Sequence, residues 1–383
     1  MIRRALTALP ALALLIGGAW AGVPARATEP PIVRVGVVLD QPLLHIDSDD
    51  PIIAADSSTG NGTTLRGGPW IVRAVDQGMA LGATTFGPVV RLTTRIGFVR
   101  VNGLGYRGII ELRRTPAARL TAINEVDLEG YLYGVIKGEM DPHWPQEAVK
   151  AQAVAARTLA VANLAVADPK YPGEGYTLRA TTDSQVYLGV SGENPAAEAA
   201  VNATRGLIAT YRGRPIFAAY HSNSGGHTED SENVWGQAYP YLRGVPDPYA
   251  LAAPSSQWTA SVALPLVEAE LRDGGVQVAG LREVEPDRVT PWGRSVTVRL
   301  VEEGGRTLII NANQFRRLLG AEVIRSTMFT ITRLGADLDF RGRGSGHGVG
   351  LDQWGARMLA QQGRSFEEIL RYYYTGITIE RRF

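Results

Sequence analysis

The best-marked secondary-structure element of the chain is a helix predicted from Gln146 to about Ala167. This run is rich in alanine, leucine and valine and contains neither glycine nor proline, while Pro145 suits the first helical position. Before it lie segments with the alternation typical of strands, at 32–39, 70–75, 89–94, 98–101, 109–113 and 119–124. Strands and helices in this irregular order predict an α+β fold with a β-rich N-terminal portion, rather than a doubly wound parallel sheet.

The rest of the chain is predicted to mix short strands and helices. Residues 47–68, rich in serine, aspartate, glycine and asparagine, look like a loop-dominated insert. Further along we predict strands at 177–180, 185–187, 295–301 and 307–310, a hairpin of 207–211 with 216–220, and helices at 194–203, 264–273 and 312–319. We expect one domain at 28–383, with a β-rich part at 32–125 and a second part at 126–383 that includes a mixed segment at 258–334.

The first 27 residues are predicted to be an export signal. Arg3 and Arg4 precede an apolar stretch from Ala5 to Ala21, and Ala25-Arg-Ala27 resembles a cleavage site. An uncleaved membrane anchor is the alternative, although Pro10 and several small residues favour cleavage. No later segment has 18 consecutive apolar residues, so we expect no further membrane span.

Charge and cysteine content exclude several classes of function. Without the three arginines of the signal, the 39 basic residues of the chain no longer outnumber the 38 acidic ones. A general electrostatic attraction to nucleic acid or anionic lipid is therefore not expected. The chain has no cysteine, which excludes disulfides, a thiol nucleophile and thiolate metal ligands.

Glu139 is the candidate for acid–base chemistry. It lies among apolar residues and a glycine, at a predicted strand-to-helix turn just before the long helix. Burial there would raise its pKa towards neutrality, where a carboxyl group can both hold and give a proton. The alternative is an ordinary surface glutamate beside a helix start. Lys150 and Arg157 share one helical face, which is either solvated or lines the same cleft.

A second candidate is the loop that runs from Tyr220 to Asp230 and contains His221, Ser222, Ser224 and His227. A serine–histidine nucleophilic pair is conceivable, but the Gly-x-Ser-x-Gly motif is absent. A metal site on the two histidines lacks a recognised ligand spacing. The remaining alternatives are a structural turn and a substrate-binding loop, and we favour the second because two adjacent glycines allow close backbone approach.

A third candidate is the segment from Gly342 to Gly355, in which every second residue up to Gly350 is glycine. It matches neither the dinucleotide fingerprint nor a phosphate-binding loop. Such a costly run of glycines fits a backbone that lies tightly against a ligand or another chain segment. Trp354 either stacks on a sugar or packs in the core. Ser365 to Glu368 forms a predicted capping box.

Together these segments resemble the SpoIID/LytB (stage II sporulation protein D) family. The resemblance covers the chain from about Ile32 to Phe383 and rests on the segments Val126–Leu132, Gly138–Met140, Trp144–Thr158, His221–Gly226, Thr228–Trp235, Pro240–Asp247 and Gly344–Gly355. It implies an exported protein of the periplasm or cell envelope that acts on peptidoglycan glycan strands. The implied activity is that of a lytic transglycosylase, which cleaves strands stripped of their stem peptides to 1,6-anhydromuramyl ends.

The resemblance also implies the roles of individual residues. Glu139 falls on the catalytic glutamate of the family, and Lys150 and Arg157 fall on its downstream basic residues. The predicted substrate-binding residues are Lys150, Gln152, Arg157, Tyr187, His221, Ser222, Ser224, His347, Gln353 and Trp354.

Two further readings follow from relatives in the family. Some relatives carry cysteine or histidine just before a Gln-x-Tyr element, where they could hold zinc, whereas this chain has Thr181-Thr-Asp-Ser184. We therefore predict no metal and no cofactor, and a metal hydrolase would be revealed by loss of activity on chelation. Other relatives are described as amidase enhancers, so the alternative function is a non-catalytic wall-binding protein that stimulates a cell-wall amidase.

Overall fold

The N-terminal part of the protein is built almost entirely from strands. The computed structural model describes residues 29–165, 170–254 and 256–383, and the predicted export signal lies outside them. The strands are β1 (Ile32–Gln41), β2 (Leu43–Asp47), β3 (Ile52–Asp56), β4 (Gly62–Leu65), β5 (Trp70–Val75), β6 (Gly78–Leu81), β7 (Thr84–Phe86), β8 (Val89–Thr94), β9 (Val99–Val101), β10 (Leu104–Tyr106), β11 (Ile109–Arg114) and β12 (Leu120–Asp127).

These strands form two sheets that enclose one hydrophobic core. The first has the order β4-β3-β8-β11-β12-β1 and the second the order β10-β9-β2-β5-β6-β7, and all these pairs are antiparallel. Alternate side chains point inward, as Ile52 and Ala54 do in β3. The β-rich portion predicted from the sequence is therefore confirmed.

The prediction of a loop-dominated insert at 47–68 was wrong, because β3 and β4 lie within it. The polar residues that suggested a loop are concentrated in the turn between the two strands. There the Asp56 carboxylate accepts hydrogen bonds from the hydroxyl of Ser58 and from the backbone N–H groups of Gly87 and Ser58. These bonds keep the pKa of Asp56 low, at about 2.

Two helices follow β12. They are α1 (Leu128–Glu139) and α2 (Gln146–Leu164). The Asp127 carboxylate caps α1 by accepting the N–H of Gly130, so the helix begins directly where the strand ends. Glu139 is thus the last residue of a helix, and the predicted strand-to-helix turn at this position was wrong. Three glycines in α1 lower its helix propensity, and the sequence pattern therefore did not predict it.

The remaining elements follow in chain order. They are β13 (Leu178–Arg179), α3 (Pro195–Ala203), β14 (Leu207–Tyr211), β15 (Arg214–Pro215), β16 (Tyr220–His221), α4 (Ser231–Trp235), β17 (Gln257–Ala263), α5 (Leu264–Asp273), β18 (Leu281–Pro286), β19 (Thr297–Glu302), β20 (Thr307–Asn311), α6 (Ala312–Leu318), β21 (Phe329–Leu334), β22 (Asp337–Arg343), β23 (Leu351–Asp352), α7 (Gln353–Gln361), α8 (Phe366–Tyr373) and β24 (Thr378–Arg381).

Most of the predicted elements are present, with two exceptions. Residues 185–187 do not form a strand, and the second strand of the hairpin is limited to β15, so that 216–219 is irregular. Both segments are held by single backbone bonds and by side chains, as at Phe217 and Val186, rather than by a sheet ladder. The capping box at Ser365 and Glu368 is confirmed at the start of α8.

Residues 258–340 contribute a hydrophobic core of their own. The sheets β17-β22-β21 and β18-β19-β20 enclose it together with α5 and α6, and it is distinct from the main core around α2. Among the described residues, no helix is long and apolar enough to cross a membrane.

Helix α2 lies at the centre of the main core, and this position explains why its sequence is rich in alanine. It contacts α1, α3, β14, α7 and α8, and short side chains allow neighbours to approach on several sides. Arg157 is fully buried among them. Its guanidinium forms an ion pair with Glu129 of α1 at 2.7 Å and donates to the carbonyl oxygens of Val201 and Leu207. The pair therefore joins four elements of the core.

We predict that Arg157→Met lowers the free energy of unfolding by about 3–5 kcal/mol, because it leaves the Glu129 carboxylate buried without its partner. The control is Lys150→Met on the same helix. Lys150 pairs with Glu147 at 2.7 Å but is partly exposed, so its loss should cost less than about 1 kcal/mol. Urea denaturation of both variants measures the difference. Equal effects would contradict the structural role of Arg157.

Candidate active site

The position of Glu139 depends on a close contact between α1 and residues 185–189. Gly134 and Gly138 lie one turn apart on α1 and face this segment. A Cβ atom on Gly138 would lie 2.9 Å from both the side chain and the carbonyl oxygen of Val186. Because the backbone can approach this closely, the N–H of Val186 donates a 2.6 Å hydrogen bond to Oε1 of Glu139.

A chain of side-chain hydrogen bonds leads from the core to the same carboxylate. The hydroxyl of Tyr131 donates to Oε1 of Gln185 at 3.1 Å, and Nε2 of Gln185 donates to the hydroxyl of Tyr220 at 3.1 Å. The Tyr220 hydroxyl in turn donates to Glu139. Nε2 of Gln185 also donates to the carbonyl oxygen of Ala156 in α2 at 3.3 Å, so the chain that ends on the glutamate is anchored in the core.

Burial keeps a larger fraction of Glu139 protonated near neutral pH than in an exposed glutamate. Loss of hydration raises its pKa above the usual value, while the bonds from Val186 and Tyr220 partly offset this rise. No cation forms an ion pair with it within the described residues. The carboxyl group is therefore held in place by neutral donors and keeps its proton to a higher pH than usual.

The second and third candidate segments meet next to this glutamate. Strand β16, with Tyr220 and His221, pairs in parallel with β23 at Leu351 and Asp352. The glycine-rich loop that precedes β23 lies against residues 219–225. A Cβ on Gly346 would lie 2.8 Å from Cβ of His221, and Gly346 has a positive φ of 100°. The alternating glycines thus serve contact with another chain segment, one of the two alternatives that the sequence left open.

Two neutral histidines lie behind Tyr220. The rings of His221 and His347 are 5.4 Å apart. Burial, with the charges of Arg316 and Arg294, lowers the pKa of His347 to about 3, and burial also holds the pKa of His221 well below its usual value. Nδ1 of His221 donates to the carbonyl oxygen of Val349, so its Nε2 is an acceptor, and that atom has no partner among the described residues.

A pair of tryptophans lies at the start of α7 and in the turn between α1 and α2. The rings of Trp144 and Trp354 are 4.8 Å apart, and the guanidinium of Arg357 lies 4.8 Å from the centre of the Trp354 ring. Both tryptophans are only partly buried. Nearby, Gln353 donates to Gln152 at 3.4 Å, which links α7 to α2, and Nε2 of Gln152 is a buried donor without a described partner.

Several residues expected to contact substrate are structural instead. Arg157 is buried in the ion pair with Glu129, and the hydroxyl of Tyr187 is buried against Asn124 at 2.7 Å. Ser224 is also inaccessible. Its hydroxyl donates to Asp247, and its N–H donates to Asp352 at 2.6 Å. A buried side chain whose bonds are all made within the protein cannot bind a ligand, so these three expectations are corrected.

Asp247 and Asp352 form a buried carboxyl pair beneath the same loop. They hydrogen-bond to each other, and burial raises the pKa of both, most strongly that of Asp352. Asp352 also caps α7 by accepting the N–H of Gly355 at 2.9 Å. Because the two carboxyl groups bond to each other and also to Ser224 and Gly355, the pair fixes the loop at 221–226 relative to α7. Adjacent buried carboxyl groups do not readily both ionise, which is consistent with their raised pKa values.

The remaining predicted contacts are less constrained. Ser222 is partly exposed, and its carbonyl oxygen accepts the N–H of Trp354 at 3.2 Å. Lys150 points to Glu147, whose other oxygen accepts the N–H of Phe366 in α8. Lys150 is thus tied to the surface of α2 and α8.

Sequence reasoning did not select Tyr131, Gln185 and Tyr220 as functional residues. A signal was available for each, since Tyr131 belongs to the first motif, Gln185 begins the Gln-x-Tyr element and Tyr220 directly precedes His221. No motif shows that their side chains form one chain of hydrogen bonds, which links residues up to 89 positions apart in the sequence. The described residues contain no cluster of three or more metal-ligating side chains. The absence of a metal remains a prediction.

Comparison with known proteins agrees with the resemblance. A family model described as stage II sporulation protein (SpoIID) matches residues 117–211. An uncharacterized protein of Brachyspira hyodysenteriae is 35% identical over 75% of this chain and 75% of its own length. Stage II sporulation protein D of Bacillus subtilis is 34% identical over 67% of this chain and 76% of its own length. An amidase enhancer of Bacillus subtilis is 30% identical over 65% of this chain and 40% of its own length.

The fold and site define an α+β protein in which one partly buried glutamate, at the end of a helix, faces a loop rich in histidine and glycine. The family match spans β12, both central helices, α3 and β14, and so includes the helix that carries this glutamate and the Val186 that binds it. The chain belongs to the SpoIID/LytB (stage II sporulation protein D) family.

We predict that Gly138→Ala destabilises the protein by about 1–3 kcal/mol, because the new methyl group collides with Val186. An alanine in a helix normally gains about 1 kcal/mol over glycine, so a loss would be specific to this contact. Gly304→Ala is the control, since no atom lies within 4 Å of a Cβ at that position. Urea denaturation compares the two, and a stabilising effect of Gly138→Ala would contradict the account.

Proposed function

We propose that this protein is an exported lytic transglycosylase that cleaves the glycan strands of peptidoglycan, preferably strands without stem peptides. The observation that carries the proposal is the carboxyl group of Glu139, whose pKa burial raises and whose position is fixed by neutral donors. Family membership supports the same residue, because Glu139 matches the family's catalytic glutamate. The reaction needs no metal or cofactor.

In this reaction Glu139 acts first as an acid and then as a base. Its proton goes to the oxygen of the glycosidic bond, and the bond between that oxygen and the anomeric carbon of muramic acid breaks. The C6 hydroxyl of the same sugar then forms a bond to the anomeric carbon, and its proton returns to Glu139. The products are a 1,6-anhydro sugar and a strand with a new free hydroxyl group, and no water is consumed.

A single carboxylate is consistent with this chemistry. Glycosidases that use water usually place two carboxylates on either side of the bond. Within the described residues, no second carboxylate is close enough to affect the pKa of Glu139. The nearest acid along the chain, Asp141, is exposed and bonded to His143. A transfer within the substrate requires only one group that both gives and takes a proton.

The surroundings of Glu139 offer contacts suited to a sugar chain. The partly exposed faces of Trp144 and Trp354 can stack on the apolar face of a sugar ring. The unpaired nitrogens of His221 and Gln152 are candidates for hydrogen bonds to hydroxyl or acetamido groups. With Ser222, His347 and Gln353 nearby, these residues form the proposed substrate cleft.

The second candidate function is that of an amidase enhancer. It is favoured by the relative of that name, although this chain covers only 40% of the relative's length. In this case the cleft would bind glycan strands, and the protein would stimulate a cell-wall amidase without cleaving the strand itself. Catalysis at Glu139 separates the two functions.

We predict that the protein without its signal releases 1,6-anhydromuramyl products from amidase-treated peptidoglycan and that Glu139→Gln lowers the rate at least about 1,000-fold, because the amide cannot give a proton. Mass spectrometry of the digests measures the products. His143→Gln, on an exposed residue of the following turn, is the control. If a folded wild-type protein gives no such product from treated or intact peptidoglycan, the proposal fails. If Glu139→Gln cleaves at the wild-type rate, Glu139 is not the catalytic acid.

We also predict a defined pH dependence. The protonated form of Glu139 starts the reaction, so the rate is high at low pH and falls as the pH rises through its raised pKa. Tyr220→Phe removes a hydrogen bond that favours the carboxylate, which should raise the pKa further and move the falling limb to higher pH. Tyr133→Phe is the control, because that hydroxyl bonds Asn202 instead. If the falling limb of the pH–rate profile stays in place or moves to lower pH in Tyr220→Phe, the hydrogen bond from Tyr220 does not control the pKa of Glu139.

A further inference from the structure

A cation without an ion-pair partner lies beside the glycine-rich loop. Arg316 of α6 belongs to the smaller unit at 258–340, and its only hydrogen bond among the described residues runs from Nε to the carbonyl oxygen of Arg325 at 3.0 Å. The terminal nitrogens of its guanidinium therefore have no described partner. Glu322 is the acid whose charge acts on it most strongly, and the two do not form an ion pair.

Arg316 is held close to the proposed cleft by a shared acceptor. The Arg325 carbonyl oxygen that accepts from Arg316 also accepts the N–H of Gly346 at 2.8 Å. The next residue is His347, and the charge of Arg316 acts on the rings of both His347 and His221. Arg316 does not contribute to the pKa shift of Glu139. The guanidinium thus lies by the histidines rather than by Glu139.

An exposed aromatic ring completes this part of the surface. Trp235, at the end of α4, is 36% exposed, and its ring lies 5.0 Å from that of His347. The side chain of Asn311, which caps α6, donates to the carbonyl oxygen of Val234 at 3.3 Å and so ties the two helices together. The tryptophan ring and the guanidinium are therefore both held near His347 by neighbouring elements.

We infer that Arg316, Trp235 and His347 form a subsite for an acidic sugar of the glycan strand, in which the guanidinium binds the free lactyl carboxylate of muramic acid. The inference rests on the proposed function. It adds Arg316, which lies outside the sequence motifs, as a residue that determines substrate specificity. An unpaired guanidinium with two parallel donors matches the geometry of a carboxylate. The tryptophan offers the stacking surface that sugars need.

The subsite also accounts for a preference for strands without stem peptides. A stem peptide is joined to the lactyl group through an amide, which removes the negative charge. The cation would then face a neutral group and lose its charge-assisted hydrogen bonds. Because Arg316 lies by the histidines rather than by Glu139, its charge favours the carboxylate without opposing positive charge at the anomeric carbon.

The test compares two substrates that differ only in this charge. One is amidase-treated glycan with free carboxylates, and the other is the same material with the carboxylates converted to methyl amides. We expect wild-type protein to favour the acid in kcat/KM by about tenfold to a hundredfold, the range for a charged hydrogen bond. Arg316→Gln should lower the rate on the acid far more than the rate on the amide, so that the preference between the two substrates is lost.

Arg317→Gln is the matched control, because Arg317 is the next residue of α6 and is exposed. It should retain the wild-type preference within about twofold. Arg316→Lys keeps the charge but loses the paired donors, so it should show an intermediate preference, and it serves as the decisive variant if Arg316→Gln does not fold. Equal losses on both substrates, or an unchanged preference in the Arg316 variants, would overturn the inference.

Binding separates this inference from the proposed reaction. Titration calorimetry with Glu139→Gln measures the affinity for both glycans without cleavage. If the acid binds more tightly and Arg316→Gln abolishes the difference, the subsite stands even where no anhydro product forms and the transglycosylase proposal fails. If product forms but neither binding nor cleavage depends on Arg316, the reaction stands and the subsite fails.

Discussion

The contact between α1 and residues 185–189 is the constraint on which the site depends. Two glycines on one face of α1 let a backbone segment with no sheet partner lie directly on the helix. That segment supplies the N–H of Val186 and the side chain of Gln185, and both position the carboxyl group of Glu139. The glycines lower helix propensity, and packing of the flanking elements offsets this cost. The buried Arg157–Glu129 pair fixes the other end of α1 in the same core.

The site brings together α1, the loop at 220–230 and the glycine-rich segment at 342–355. Short parallel strands and close glycine contacts hold these three segments together, without an extended sheet. Strands β16 and β23 pair over only two residues each, yet they bring Tyr220 and the glycine-rich loop beside α1. The buried carboxyl pair of Asp247 and Asp352, whose pKa values burial raises, holds the loop at 221–226 against α7. The result is a surface in which neutral histidines, tryptophans and one protonatable carboxyl group lie together. Such a surface suits a neutral reacting centre that develops positive charge only during bond cleavage.

Local patterns in the sequence were enough to predict most elements but not the roles of the charged residues. The long helix, the strands of the β-rich part and the capping box of α8 follow from periodicity and caps. Helix α1 was missed because its glycines serve a tertiary contact. Arg157 was expected in the cleft because a helical face does not reveal which neighbours cover it, and α2 is covered on several sides. Arg316 lies far along the chain from every motif, so only the fold brings it to the glycine-rich loop.

The central claim is that burial turns Glu139 into a group that holds its proton above the normal range. Carbon-13 labelling of glutamate side chains and an NMR titration of the carboxyl signals, with Glu139→Gln to assign the resonance, measures this pKa directly. The account predicts a value for Glu139 above the usual 4.5 and higher still in Tyr220→Phe. A carboxyl signal that titrates at or below 4.5 in the folded protein would contradict it.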